Sequence, residues 1–165
     1  MKAHFRMMAA YNAWANRRLY DAAGRLGDAD YRADLGAAFR SVHGTLNHLV
    51  VGDVLWLARF RGQPQPPLRL DQILHEDRAE LCAAREALDA EIVDFVEALS
   101  AADLAATITY SMITRPETVT EPIAPALTHF FNHQTHHRGQ VHALLTRLTG
   151  QAPALDLIYH LREAA

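Results

Sequence analysis

Three histidines, His133, His136 and His137, lie in the run Phe130-Phe131-Asn132-His133-Gln134-Thr135-His136-His137-Arg138-Gly139-Gln140, with His129 and His142 close by. A neutral imidazole offers a nitrogen lone pair to a divalent metal ion, and two imidazoles one helical turn apart can grip the same ion. No glycine or proline interrupts the stretch from Ala126 to Arg138, and the apolar residues around it recur at helical spacing, so it reads as helix. With His133 set at zero and about 100° per residue, Ala126, Leu127, Phe130, Val141, Leu144, Leu145 and Leu148 fall between roughly 20° and 120°. His137 falls inside that sector at about 40° and His133 at its edge, whereas His136 and His142 turn toward solvent at roughly −60° and 180°.

Two interior imidazoles can also be core residues whose ring nitrogens find protein or water partners. A third ligand elsewhere in the chain would decide for a metal. The segment Ser41-Val42-His43-Gly44-Thr45-Leu46-Asn47-His48 supplies a candidate. On a helix, Ser41, Gly44, Thr45 and Gly52 all fall within about 60° of His48, giving it a small, roomy face, while His43 points roughly 140° away. The same small residues would also let two helices approach closely.

The elements that must position these residues are helices. Residues 2 to about 25 read as the first, with Met7, Met8, Tyr11, Trp14, Ala15 and Leu19 as its inward stripe. A second runs from about Ala38 to Arg61, apolar almost all round and so buried on more than one side. After a proline-rich break, a third spans Asp71 to Leu99 with Leu74, Leu81, Leu88 and Phe95 at heptad spacing and Arg85, Ile92 and Leu99 offset by four; its charges read as a solvated face. Thr and β-branched residues between 105 and 123 predict a small β-hairpin. The histidine helix follows and ends near Gly150, and a short helix covers 154–162. The expectation is an all-α chain, a four-helix bundle with a β-hairpin insertion before the last long helix, forming one domain over residues 1–165. Sites in such bundles form in the core from side chains on facing helices, and His48, His133 and His137 each sit near the middle of a long helix.

Composition narrows the partners. A net charge of −3 gives no support for nucleic acid or an anionic membrane. The one cysteine, Cys82, allows no internal disulfide, which suits the cytoplasm, and reads as a small helix residue. No apolar run has the length of a signal peptide core or a membrane span. Three neutral imidazoles suit zinc or nickel, with iron and copper as alternatives. A closed structural zinc site would take four ligands, often thiolates, so the fourth position falls to water or substrate, as in catalytic sites. No Asp or Glu lies between Ala126 and Gly150, so a site of two histidines and a carboxylate fits less well.

Four segments together resemble the DinB (damage-inducible) family: Tyr11-Asn12-Ala13-Trp14-Ala15-Asn16, the His48 segment through Asp53 with Trp56-Leu57, Asn132 to Gln140, and the ending Leu155 to Glu163. The resemblance spans nearly the whole chain. It implies an up-down-down-up bundle, usually a homodimer, with a divalent ion on three histidines that match His48, His133 and His137. Relatives in the wider superfamily transfer low-molecular-weight thiols such as bacillithiol or mycothiol, or isomerise maleylpyruvate with a thiol cofactor. The expected function is therefore a divalent-metal-dependent enzyme acting on a small molecule, either a thiol S-transferase or a hydrolase. The alternative is a non-catalytic dimeric metal-binding protein of a stress response. No residue stands out as general base. Arg138 and Gln140 are candidates for substrate contact or support of the ligands, with a surface or capping role as the other reading of Arg138, and Tyr11 and Trp14 are candidate pocket walls.

Overall fold

Ser41 and Asp77 set where two of the long helices begin in the computed structural model, which describes residues 1–164: the Ser41 side chain accepts from the Gly44 N–H, and Asp77 accepts from Ala79 and Glu80. In order, the chain forms α1 (Lys2–Gly24), α2 (Asp28–Arg32), α3 (Val42–Phe60), α4 (Arg78–Ala98), α5 (Ala101–Ala105), β1 (Thr107–Ser111), β2 (Thr118–Pro122), α6 (Ile123–Thr149) and α7 (Leu157–Glu163). The strands pair antiparallel with Thr109 opposite Thr120, forming the expected hairpin before the last long helix.

Side-chain pairs fix how the four long helices run. Asn12 meets Asp89 and Arg6 meets Glu97, so α1 and α4 are antiparallel. Phe5 stacks near Phe131 and Asn16 meets Arg138, so α1 and α6 are parallel. Asp53 meets Arg85 and Phe60 stacks on Phe95, so α3 and α4 are parallel, while Asp53 with Gln134 and His48 with His137 make α3 and α6 antiparallel. The order is up-down-down-up, with α1 and α3 each packed between α4 and α6.

Parallel neighbours cannot be joined by a tight turn, because the chain must first return the length of the bundle. That is why α4 begins at Arg78 and not near Asp71: residues 61–77 are spent on the return along α3. On the way the Asn47 side chain accepts from the N–H groups of Leu74 and His75, pinning the loop across the middle of α3. The stretch expected as polar connection contains α2, and a capping box between Ser100 and Asp103 starts the unforeseen α5.

The core is mostly apolar, from Phe5, Leu19, Leu46 and Leu49 to Leu81, Ile92, Phe130 and Leu145. Through its centre runs a buried polar network to which all four long helices contribute. Arg85 is ion-paired to Asp53 at 2.6 Å and to Asp89 at 2.9 Å, and Asn16 donates to Asp89 at 2.9 Å. Gln134 donates to Asp53, and Arg138 donates to Asn12 and Asn16. The charges of α4 are therefore not all a solvated face, and Arg138 is neither a surface nor a capping residue, being 2% exposed. Among the described residues no helix is long and apolar enough to cross a membrane.

Candidate metal centre

His48 on α3 and His133 and His137 on α6 meet where the two antiparallel helices face each other. The Nε2 atom of His48 lies 3.4 Å from that of His133 and 3.2 Å from that of His137. Two nitrogens, each about 2.0–2.1 Å from one tetrahedral ion, stand about 3.3–3.4 Å apart, so the spacing matches a shared metal. The protons are arranged to suit. His48 Nδ1 faces the Leu70 carbonyl oxygen at 2.8 Å, which only accepts, so Nδ1 carries the hydrogen and Nε2 keeps its lone pair. His137 Nδ1 is held in the same way by Gln140 Oε1 at 2.8 Å. The buried Nδ1 of His133 has no partner among the described residues. Gly52 makes room for this ring, since a Cβ there would lie 3.2 Å from His133 Cε1.

Burial keeps all three rings neutral. It pushes the His48 pKa down to about 4 against the Leu70 hydrogen bond, and His133, also crowded by His137 and His48, down to about 3; burial lowers His137 too. Protonation of the folded centre therefore waits for pH well under the ~6.5 of a free imidazole. Zinc affinity is expected to hold as pH falls from 8 to about 6 and to drop only below that. A competition titration with a chelator at each pH checks this, and a steep loss already at ~6.5 would contradict it. In the metal-free protein the sign is that of depressed imidazole pKa values: stability from these rings is present above ~6.5 and lost as pH falls toward the folded values.

Phe39 covers one side, its ring stacked on His48 at 3.6 Å and edge-on to His137 at 5.5 Å. The turn before α3, with Arg40 at φ 68, carries Phe39 there, and its Phe39 carbonyl occupies the place a Cβ on Gly44 would take. The expected roomy face of His48 is thus partly filled: Gly44 packs on that turn, and only Gly52 fronts the imidazoles.

A cavity of about 380 Å³ opens beside His48 and His133, within the range that takes small ligands. Trp56 and Arg59 of α3, Tyr110 and Glu121 of the hairpin, and His129 of α6 wall it. Tyr11 and Trp14 do not; they pack near His160, donating to the Leu155 carbonyl and to Glu163. A larger hollow of about 740 Å³ near Arg18 and Arg25 contains none of the three imidazoles. Sequence reasoning missed Phe39, Leu70, Trp56, Arg59, Tyr110 and Glu121. Trp56 and Arg59 could have been found, being eight and eleven residues beyond His48 on one helical face; the others arrive from distant segments and leave no local signal.

The family model described as DinB family matches residues 1–164. Protein DinB of Bacillus subtilis (strain 168) is 27% identical over 152 residues, covering 87% of this chain and 85% of its own. The solved structure of YfiT from Bacillus subtilis, described as a probable metal-dependent hydrolase with an unusual four-helix bundle topology, has a similar fold at TM-score 0.67. That match has 14% identity and covers 92% of this chain and 89% of YfiT.

Proposed function

The chain belongs to the DinB family, and from that premise and the imidazole centre we propose that it is a divalent-metal-dependent enzyme, a hydrolase of small molecules. What carries the reading is the convergence of three neutral imidazoles at metal-sharing distances beside a cavity of small-molecule size. The description of YfiT as a probable metal-dependent hydrolase points the same way. His48, His133 and His137 would hold the ion, zinc or nickel by their donor type, with iron and copper as alternatives. Bound there, a divalent ion supplies Lewis acidity toward an oxygen or sulfur atom of a substrate.

The protein's own residues do the rest. Leu70 and Gln140 fix the tautomers of His48 and His137, and Phe39 keeps water from one side of the rings. Glu121 and His129 border the cavity and are the groups placed to take a proton from a nucleophile. One observation favours a thiol S-transferase as the second reading. The Tyr110 hydroxyl donates to Glu121 at 2.5 Å, which weakens Glu121 as a base for water, whereas a thiol needs less help to ionise. We take the working form to be a cytoplasmic homodimer of one domain, residues 1–165, the location resting on the lone Cys82.

The test is a panel of small esters, amides and thioesters offered to zinc- and nickel-loaded protein, with and without added cysteine. Turnover without thiol, absent in His133→Ala, is the expected result. Turnover only with thiol would replace the hydrolase by the transferase, and metal uptake with no turnover would leave a binding protein.

A further inference from the structure

The cavity beside the imidazoles contains a cation with no carboxylate at ion-pair distance among the described residues. Arg59, in the last turn of α3, shares a helical face with His48 and Gly52, about 16 Å along the axis from His48 at 1.5 Å per residue. Its side chain is half-buried and lines the cavity. The guanidinium packs 4.6 Å from the Trp56 ring centroid and 4.4 Å from that of Tyr110, and two aromatic rings so placed fix its position. Nε donates to Gln65 Oε1 at 3.1 Å. Among the described residues the terminal Nη1 and Nη2 groups have no hydrogen-bond acceptor and no acidic group at ion-pair distance, in contrast to Arg61, which pairs with Glu91, and Arg85, which pairs with Asp53. Burial lowers the Arg59 pKa from its ordinary value, outweighing the opposing influence of Tyr110 and Glu121. Glu121, the carboxylate of the same cavity, is turned to the Tyr110 hydroxyl instead.

A planar fork of N–H donors, held by aromatic rings in a partly desolvated hollow, matches the paired oxygens of an oxyanion. We propose that the cavity takes small organic oxyanions, carboxylates or phosphate-type groups, with Arg59 recognising the charged end while the rest of the molecule extends toward His48 and His133. This rests on the small-molecule reading of the cavity given above and supplies its substrate class. Arg59 is then the specificity-determining residue: neutral molecules of the same shape forfeit a charge-assisted bidentate pair.

The experiment uses Trp14→Phe protein, in which Trp56 is the remaining tryptophan and reports on its own cavity by fluorescence. Benzoate, phenylphosphonate and benzamide are titrated into the metal-free and the zinc-loaded forms. At least one of the two anions is expected to bind about tenfold or more tighter than benzamide in both forms, and the tighter anion identifies the group recognised. Arg59→Gln should abolish the preference while zinc uptake stays at the parent level, and Glu121→Gln should strengthen anion binding several-fold by removing a nearby negative charge. Equal binding of all three probes overturns the proposal, as does a preference that appears only with zinc and survives Arg59→Gln, since that preference belongs to the ion. Should Arg59→Gln fail to fold, Glu121→Gln decides, and an unchanged anion affinity there counts against the site. Failure of the metal reading looks different: no zinc uptake, with an Arg59-dependent anion preference intact in the metal-free protein.

Discussion

Replacing any one of His48, His133 and His137 with alanine is expected to lower zinc affinity by about a hundredfold or more, beyond the 10–100-fold that follows loss of an outer hydrogen-bond partner. Each replacement removes one of three nitrogens, and among the described residues no carboxylate or thiol joins the cluster: Cys82 lies on α4, and α6 carries no acidic residue. His136→Ala and His142→Ala should keep full metal content, since neither ring belongs to the cluster. Elemental analysis of purified protein and competition with a chromogenic chelator measure the difference. Parent-level metal in all three ligand variants would remove the site assignment. His133→Ala also separates metal binding from stability. Its Nδ1 is buried without a partner among the described residues, so in the metal-free form the variant discards an unpaired polar atom. The metal-free melting temperature should hold or rise while the metal is lost.

The second large effect lies in the polar core. Arg85→Met leaves the carboxylates of Asp53 and Asp89 buried without their cation, and breaking such a cluster from one side costs about 3–5 kcal/mol. For a chain of this size that lowers the melting temperature by roughly 10 °C. Burial already holds Asp53 up to about 6 against the pull of Arg85, and it raises Asp89 as well; without the guanidinium both rise further. A carboxylate whose folded pKa exceeds its unfolded ~3.9 is most destabilising above the folded value, and the penalty fades as pH falls through it. The deficit of Arg85→Met against the parent should therefore narrow from pH 8 to pH 5 in paired thermal melts. A deficit under about 1 kcal/mol, or one that widens on acidification, would mean that the network contributes little to holding the helices together.

The imidazole cluster was legible because it depends on local geometry. The angle per residue puts His133 and His137 toward the interior of one helix, and the apolar surroundings of His48 mark another as buried. The family resemblance, not periodicity, supplied the up-down-down-up order, since an amphipathic stripe does not say which helix it meets. The rest needed contacts far apart in sequence. Residues 61–77 cross α3 because α3 and α4 turn out parallel, and nothing within those residues says so. On a helix projection Gly44 reads as space, yet the turn at Arg40 fills it. Arg85 did fall on the seam with Ile92 and Leu99, a charge in an apolar row, and that was the one visible trace of the polar core. Asn12, Asn16, Asp53, Asp89 and Gln134 gave none by periodicity, because a polar residue reads as surface until its partners are known, and Arg138 was read toward the ligands or the surface and not toward the core.

That polar core bears on how sequences of this kind can drift. Each member is tied to others on different helices, so a single replacement strands its neighbours in the interior, at about 1–3 kcal/mol for an uncharged group and more for a charged one. Replacing the whole cluster at once by apolar residues of matching volume could be close to neutral, but that route needs several simultaneous changes. Stepwise descent from an ancestor with this core therefore meets a barrier on every path out. The seven residues should persist together or disappear together among descendants, whether or not their net contribution to stability is large. Gln134 follows His133 directly, and Asp53 follows Gly52, so the same lock also restricts register shifts beside the imidazoles. The lining of the cavity is free to vary through the hairpin and the last turn of α3, while the geometry of the three rings is inherited as a block.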